Sequence, residues 1–388
     1  MYSYLPFLPN RASSKNFNAA VHENLLRAEA VVRRVVLSPK WLRYQLRRTA
    51  ESYWPAFIRN NNRKPDWRIG ADLVRHTMRW RCLPFHYLRY GLYDRSVTRA
   101  DEGSILPETV MYYRVLPRTN RTCLLLDDKL VCKSLLSAHG IPQAPTVLWK
   151  ANGALWTSEA ERIVSPAELS EVLARAHGEL VLKPASFGSG GRRIQIFRRV
   201  GGRHLSSDGV PLDWQLLAEL PSKWLLEEYI TAWPDIGAVH PASLNTFRVV
   251  TANSPGRDIE VVYCMLKFGA DGHVTDNAHT DGVYVGVDLE TGAIDATAFD
   301  ENLRAHERHP TSGVAFAGRR VPQIAELCTV ARRCAATVPE LGLVGWDIAV
   351  DEDGRVLVIE GNSSPGLTII QRTQGNLAQV VQQHWGRL

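Results

Sequence analysis

Apolar and polar residues alternate most clearly near the C-terminal end of the chain, and the pattern there predicts a hairpin. Between Gly345 and Pro365 two apolar runs, Trp346 to Val350 and Val356 to Ile359, flank the acidic turn residues Asp351, Glu352, Asp353 and Gly354. Such a pattern reads as a tight β-hairpin centred on Asp353-Gly354. Counting outward from that turn sets Asp347 directly across from Glu360, and Asn362, two residues further on, shares their face. The opposite face carries Trp346, Ile348, Val350, Leu357 and Ile359 and is expected to be core.

Further strands are predicted over Thr146 to Trp149, at both ends of Leu180 to Phe197, and over Trp224 to Ile230, Asn245 to Thr251, Ile259 to Phe268 and Val283 to Val287. Helical spacing appears from Val21 to Ala50, interrupted near Ser38-Pro39, and from Leu73 to Pro84. It recurs from Asp127 to Gly140, where Pro142 marks the stop, and along Pro322 to Val338. Ser165-Pro166-Ala167-Glu168 has the spacing of a capping box with proline at the first helical position. Strands and helices mixed in this way predict an α+β protein preceded by a mainly helical region.

Length and composition narrow the class. A chain of 388 residues with 45% hydrophobic and 22% charged residues suits a globular protein of two or three lobes. No apolar run approaches the ~18 residues of a membrane span, and the N-terminus lacks the basic-then-apolar order of a secretory signal. The six cysteines form no C-x-x-C pair, so reduced core thiols in a cytoplasmic protein are expected and a zinc site is not. Charge is unevenly placed: residues 1–110 hold 19 Lys/Arg against 9 Asp/Glu, a balance of +10, although the whole chain carries only +6. A field of that sign attracts an acidic substrate, an acidic carrier or anionic lipid; no nucleic-acid-binding motif accompanies it.

Candidate chemistry gathers at a few positions. Asp347 and Glu360 facing each other beside Asn362 would repel unless a cation lay between them, and oxygen-only ligands suit Mg²⁺. The same pattern also fits a solvated outer face. The run Ser186-Phe187-Gly188-Ser189-Gly190-Gly191 joins strand to strand, which excludes a Walker or Rossmann loop. Its unobstructed backbone N–H groups suit phosphate oxygens, with Lys183 on the incoming strand. Arg248 and Lys267 stand as isolated cations in apolar strands and each needs an anionic partner.

Taken in order, Asp128-Lys129, Lys183-Pro184 with the glycine loop, Glu227-Glu228-Tyr229-Ile230, Arg248, Lys267, Asp347 and Glu360-Gly361-Asn362-Ser363-Ser364-Pro365-Gly366 resemble the ATP-grasp superfamily. The last run is similar to that of D-alanine:D-alanine ligases. Phe85 to Asp94, Asp276 to Gly282 and His309 to Pro322 resemble the sugar-transfer-associated branch of that superfamily. Two positions depart from the pattern: Thr280-Asp281 stands where a Gly-Gly pair is expected, and Gly345 where peptide-ligase relatives place an arginine.

The resemblance implies an ATP-grasp fold, two α+β lobes clasping ATP. The basic helical region would span 1–115 and the ATP-grasp domain 116–375, with a glycine-loop lobe over about 145–230 and a metal lobe over about 231–375. Residues 376–388 would form a tail or helix. It further implies ATP and Mg²⁺, with Mn²⁺ as an alternative ion. Lys129, Lys183 and Gly188 to Gly191 would hold the phosphates, and Glu227 to Ile230 and Asp235 the adenine or ribose. Asp347, Glu360 and Asn362 would hold the metal. Arg248, Lys267 and the backbone at Gly366 would serve the reacting groups, while His240, His279 and Asp281 are candidates on the acceptor side. The implied activity is an ATP-dependent carboxylate–amine ligase acting on a small carboxylic acid and an amine through an acyl phosphate, with release of ADP and phosphate. A kinase acting on a hydroxyl and a nucleotide-binding module without turnover are the alternatives.

Overall fold

The computed structural model describes residues 39, 41–120, 124–176, 178–185, 194–221, 223–272, 276 and 282–386. Two compact units divide the chain, one ending at Arg59 and the other running from Asn60 onward. In the first, a helix over residues 41–48 passes through a π-helical turn, Thr49–Tyr53, into helix Trp54–Arg59, with Tyr53 and Phe57 buried. The expected helix break near Ser38-Pro39 lies at the limit of the described residues.

In the second unit two antiparallel sheets follow one another along the chain. The first contains β1 (Thr146–Ala151), β2 (Ala154–Thr157), β3 (Arg162–Ile163), β4 (Leu180–Pro184), β5 (Gln195–Val200), β6 (Arg203–Leu205) and β7 (Trp224–Glu228), in the order β3-β2-β1-β7-β4-β5-β6. Helix Pro166–Arg175 covers it. That helix starts where the sequence places it, Ser165 accepting the Glu168 amide and the Glu168 carboxylate accepting the Val164 amide at 2.9 Å. Its Leu169 and Leu173 pack with Leu148, Leu180, Leu182, Phe197 and Leu226 of the strands.

The second sheet contains β8 (Phe247–Ala252), β9 (Glu260–Phe268), β10 (Val283–Val287), β11 (Ile294–Phe299), β12 (Ala305–His306), β13 (Leu343–Val350) and β14 (Val356–Asn362), in the order β12-β11-β10-β9-β8-β13-β14. Alternate residues of β8, β9 and β13 enter two different cores. Phe247, Val249, Cys264, Leu266, Trp346 and Ile348 pack beneath helix Ile324–Thr337, whose apolar face matches the predicted one. Val250, Tyr263, Met265 and Leu343 pack instead against Trp80, Leu106, Val110 and Met111 from the front of the chain, and against Leu377 and Val381 of helix Leu377–Trp385. Residues 60–115 are therefore part of the body of this unit. The compact division falls at Arg59/Asn60, and the apolar residues of 106–116 cover a sheet face that would otherwise be wet.

The hairpin of β13 and β14 differs from expectation in one residue. Its loop is Glu352-Asp353-Gly354, closed by the Asp351 amide on the Arg355 carbonyl at 3.0 Å, with Gly354 at φ 83°. This is a three-residue turn needing a left-handed residue at its end. Ile348 pairs with Val358 and Val350 with Val356, and the register then shifts, so that Asp347 does pair with Glu360. The extra residue is Ile359, a bulge. Val356 and Val358 consequently join Trp346 in the main core, whereas Leu357 and Ile359 turn to the other face beside Ala144, Ile230 and Ala349. The expectation that Leu357 and Ile359 share the Trp346 face is not met: the three-residue turn sets Leu357 opposite Ala349, and Ile359 is the bulged residue.

Candidate functional site

Charged residues converge where the ends of the two sheets meet the helix Lys129–Ala138. Asp128 caps that helix by accepting the Leu130 amide, and Lys129 is its first residue. The Lys129 amide donates to the Ala185 carbonyl at 2.7 Å, just beyond β4, and its ammonium reaches Glu360 on β14 at 2.6 Å. One turn later, on the same helix face, Lys133 donates to the Ala144 carbonyl at 2.8 Å and pairs with Glu227 of β7. Lys183, on the neighbouring strand β4, pairs with the other Glu227 oxygen. Two lysines thus share one buried carboxylate.

On the second sheet Arg248 of β8 lies opposite Asp347 of β13 and grips it through both oxygens, at 2.5 and 3.0 Å. Lys267 of β9 reaches Asp347 at 3.2 Å and Asp276 at 3.5 Å. Asp276 is fixed in turn by the Thr246 amide and hydroxyl, which donate to it at 2.6 and 2.5 Å. Asn362 donates to Asp347 at 3.4 Å. Gly345 makes this geometry fit: a Cβ there would meet Arg248 Cδ at 2.8 Å and Pro365 Cβ at 2.9 Å. The missing side chain at 345 is the space Arg248 uses to reach Asp347. Gly361 serves the opposite face, where a Cβ would lie 2.7 Å from the Trp346 ring.

Electrostatics follow from burial and pairing. Burial alone would raise the Asp347 carboxyl, but Arg248 and Lys267 outweigh it and hold the group far below the usual carboxylate range. Burial opposes the charges of Arg248 and Lys267 as well; Asp347 reverses this for Arg248, and Asp276 with Asp347 for Lys267, so both stay protonated. Burial likewise opposes the Lys129 charge, and Glu360, Asp347 and Glu227 together raise its pKa. The Glu227 carboxyl is held low by Lys183 and Lys133 against its own burial. Lys133 is the exception: burial and the neighbouring Lys183 lower its pKa despite Glu227.

Sequence reasoning missed Lys133 and Asp276. Lys133 was findable as the i+4 partner of Lys129, and Asp276 opens the polar stretch before β10. Lys129, Lys183, Glu227, Arg248, Lys267, Asp347, Glu360 and Asn362 fall into three neighbouring sets, Lys129–Glu360, Glu227 with its two lysines, and Asp347 with Arg248, Lys267 and Asn362; the charges of Glu360, Asp347 and Glu227 all act on Lys129. Others lie elsewhere or are already engaged. The Glu228 and Tyr229 amides donate to the Pro145 and Glu179 carbonyls at 3.0 and 2.8 Å, and Ile230 is buried beside Ala144. Asp235 is exposed on the short turn Pro234–Gly237, its carbonyl accepting from Arg319 at 2.9 Å. Gly366 has open space on its Cβ side. His240 sits in a separate buried network, with Ser243 at 2.9 Å and the His309 ring at 5.2 Å. Gly188, Ser189, Gly190, Gly191, His279 and Asp281 lie outside the described residues.

The donor set at β13 and β14 fits a hard divalent cation. Asp347, Glu360 and Asn362 offer oxygen donors from one sheet face at adjacent register positions. No cluster of three or more His, Cys, Asp or Glu residues suited to a metal occurs among the described residues, so such an ion would depend on the carboxamide or on oxygens of a bound phosphate.

Two antiparallel sheets, each backed by helices and joined by this charged seam, define the two-lobed ATP-grasp class. The model of the sugar-transfer-associated ATP-grasp family matches residues 111–384, most of the chain, and the chain belongs to that family. No curated protein is found to match. Among solved structures, the ADP complex of PurK, an N5-carboxyaminoimidazole ribonucleotide synthetase, is similar at 13% identity over 63% of this chain and 47% of its own, with a TM-score of 0.39. The Aspergillus clavatus carboxyaminoimidazole ribonucleotide synthase complexed with ATP has 16% identity, 62% and 45% coverage and a TM-score of 0.36. The Campylobacter jejuni biotin carboxylase β,γ-ATP complex has 13% identity, 68% and 47% coverage and a TM-score of 0.41. The chain spans about half the length of these structures. Among the described residues no helix is long and apolar enough to cross a membrane.

Proposed function

We propose that the protein is an ATP-dependent carboxylate–amine ligase working through an acyl phosphate. One observation carries the reading: the seam holds five cations, Lys129, Lys133, Lys183, Arg248 and Lys267, against four carboxylates, Glu227, Asp276, Asp347 and Glu360. A buried or half-buried surplus of positive charge is what polyphosphate needs. Lys129 and Lys183 neutralise ATP phosphates, with Gly188 to Gly191 as further phosphate-binding residues. Residues 227–230 and Asp235 meet the nucleoside.

Asp347, Glu360 and Asn362 would hold Mg²⁺ or Mn²⁺, and the ion would supply positive charge to offset that of the phosphates. Arg248 and Lys267 align the substrate carboxylate with the γ-phosphorus. A carboxylate oxygen attacks that phosphorus, the bond to the bridging oxygen breaks, and ADP leaves. The amine then attacks the acyl carbon, inorganic phosphate leaves and the amine proton passes to solvent. The backbone at Gly366, with its open side, faces the oxyanion.

The test is a screen of acids and amines in pairs for ADP release, with mass spectrometry of the products. ADP formed only when both are present, with a mass equal to acid plus amine minus water, is the expected result. A phosphoester formed from a hydroxyl compound would replace the ligase with a kinase, and no ADP release with any pair would replace it with a binding module.

A further inference from the structure

The helix Asp66–Trp80 is built inside out. Its buried residues include Asp72 and His76, each 2% exposed, beside Ile69 and Trp80, whereas Trp67, Val74 and Met78 are 76%, 60% and 74% exposed. At 3.6 residues per turn Trp67, Ala71, Val74 and Met78 form one continuous stripe. Hydrophobic burial alone would roll that stripe inward. Polar contacts beneath the helix prevent it: Arg75 holds Asp72 at 2.8 Å, Lys64 holds Glu102 at 2.5 Å, Tyr87 donates to Asp72 at 3.2 Å, and the His76 and His86 rings share a hydrogen bond of 2.9 Å.

Arg68, Arg75 and Arg79 follow along one edge of the stripe, and Arg81 with the 56% exposed Leu83 continues it past the helix end. Apolar side chains bordered by arginines on a helix of modest length are suited to lying in the plane of a lipid headgroup layer. Residues 60–110, in the same unit, hold 9 Lys/Arg against 6 Asp/Glu and add attraction of the same sign.

We propose that the outward face of helix Asp66–Trp80 docks on an anionic lipid bilayer, with Trp67, Val74 and Met78 entering the headgroup–acyl boundary and Arg68, Arg79 and Arg81 meeting lipid phosphates. Charge favours this occupant over a second copy of the chain, since an isologous contact would bring one basic edge against another.

Vesicle co-sedimentation of the full chain tests it, using phosphatidylcholine vesicles with and without about 30 mol% phosphatidylglycerol. The wild type is expected to bind the anionic vesicles and not the neutral ones. The variant Trp67→Ser/Val74→Ser/Met78→Ser should bind at least about tenfold more weakly, and Arg68→Glu/Arg81→Glu should bind more weakly and lose salt sensitivity. All replaced side chains in the first variant are exposed, so an unchanged melting temperature controls for folding. Absence of binding to anionic vesicles, or equal binding by both variants, overturns the proposal. A wild-type dimer that the triple variant dissociates, without vesicle binding, overturns it in favour of self-association.

Discussion

Two buried networks of charge sit in the same unit, and they differ in how their charges balance. Beneath helix Asp66–Trp80, Lys64 and Arg75 face Asp72 and Glu102; the side chains of Lys64, Asp72 and Glu102 are 2%, 3% and 4% exposed, and that of Arg75, at the rim, 39%. Two cations meet two anions, and the Leu92 carbonyl accepts a further Lys64 hydrogen at 2.6 Å. The network is closed. At the seam between the sheets five cations meet four carboxylates, and the Lys129–Glu360 pair opens to solvent, 17% and 26% exposed. Burial is common to both. Each also has an accessible edge, at Arg75 in one and at Lys129–Glu360 in the other, so surplus charge is what separates a binding site from a structural anchor.

The largest effect should come from breaking the closed network. Glu102→Ala leaves the buried Lys64 with Asp72 at 3.5 Å as its remaining anion, one it must share with Arg75, which costs about 3 kcal/mol. Urea unfolding should show that loss, while ATP turnover per folded molecule stays near wild type. A variant of unchanged stability would mean the front network is not closed.

At the open network the balance of effects should reverse. Glu360→Gln keeps the shape of a partly exposed side chain, so stability should move by less than about 1 kcal/mol. Mg²⁺-dependent ATP turnover should fall about a hundredfold or more, because a neutral amide replaces an anionic ligand at the point of charge transfer. Steady-state ADP release and a thermal melt on the same preparation read both quantities. Wild-type turnover would remove Glu360 from the site and erase the distinction between the two networks.

Much of the second sheet was legible because its strands alternate cleanly. Arg248 and Lys267, each alone in an apolar strand, announced that carboxylates would be found opposite, and Asp347 and Asp276 are there. The Asp347–Glu360 pairing was also readable, though the simple two-residue turn used to reach it was not the observed one. A longer loop and the bulge at Ile359 compensate each other at the site, and only the core assignment of Leu357 and Ile359 exposes the difference. Lys133 and Asp72 were harder to read. A lysine in an amphipathic helix looks solvated until a strand from another part of the fold brings Glu227 to it, and no periodicity signals that pairing. The apolar stripe at Trp67, Val74 and Met78 has the same cause: local pattern predicts a buried face, and distant partners of the opposite face, Lys64 and Glu102, decide the roll of the helix.

Acid should separate the two networks by a smaller margin, and the sign follows from His86. Burial, then the neighbouring His76 and Arg79, push its pKa down from 6.5 to about 3, and its Nδ1 is buried without a hydrogen-bond partner. His76 is displaced in the same direction, burial outweighing the attraction of Glu102. Between about pH 6.5 and pH 3 the unfolded chain therefore binds protons at His86 that the folded chain refuses, so stability is full above pH 6.5 and falls as pH drops through that window. Asp347 and Glu227, held low by their cations, give up their contribution only under more acidic conditions, below the ordinary carboxylate range. The unfolding free energy from urea titrations should thus decline between pH 6 and pH 5 by roughly 1 kcal/mol, within the limit of about 1.4 kcal/mol per pH unit for one group. His86→Asn should flatten that slope whatever its effect at pH 7, since the slope and not the intercept reports the proton. An equal slope in the variant would remove His86 as the source of the acid sensitivity and leave His76, whose pKa is lowered in the same network, as the group that takes up the proton on unfolding.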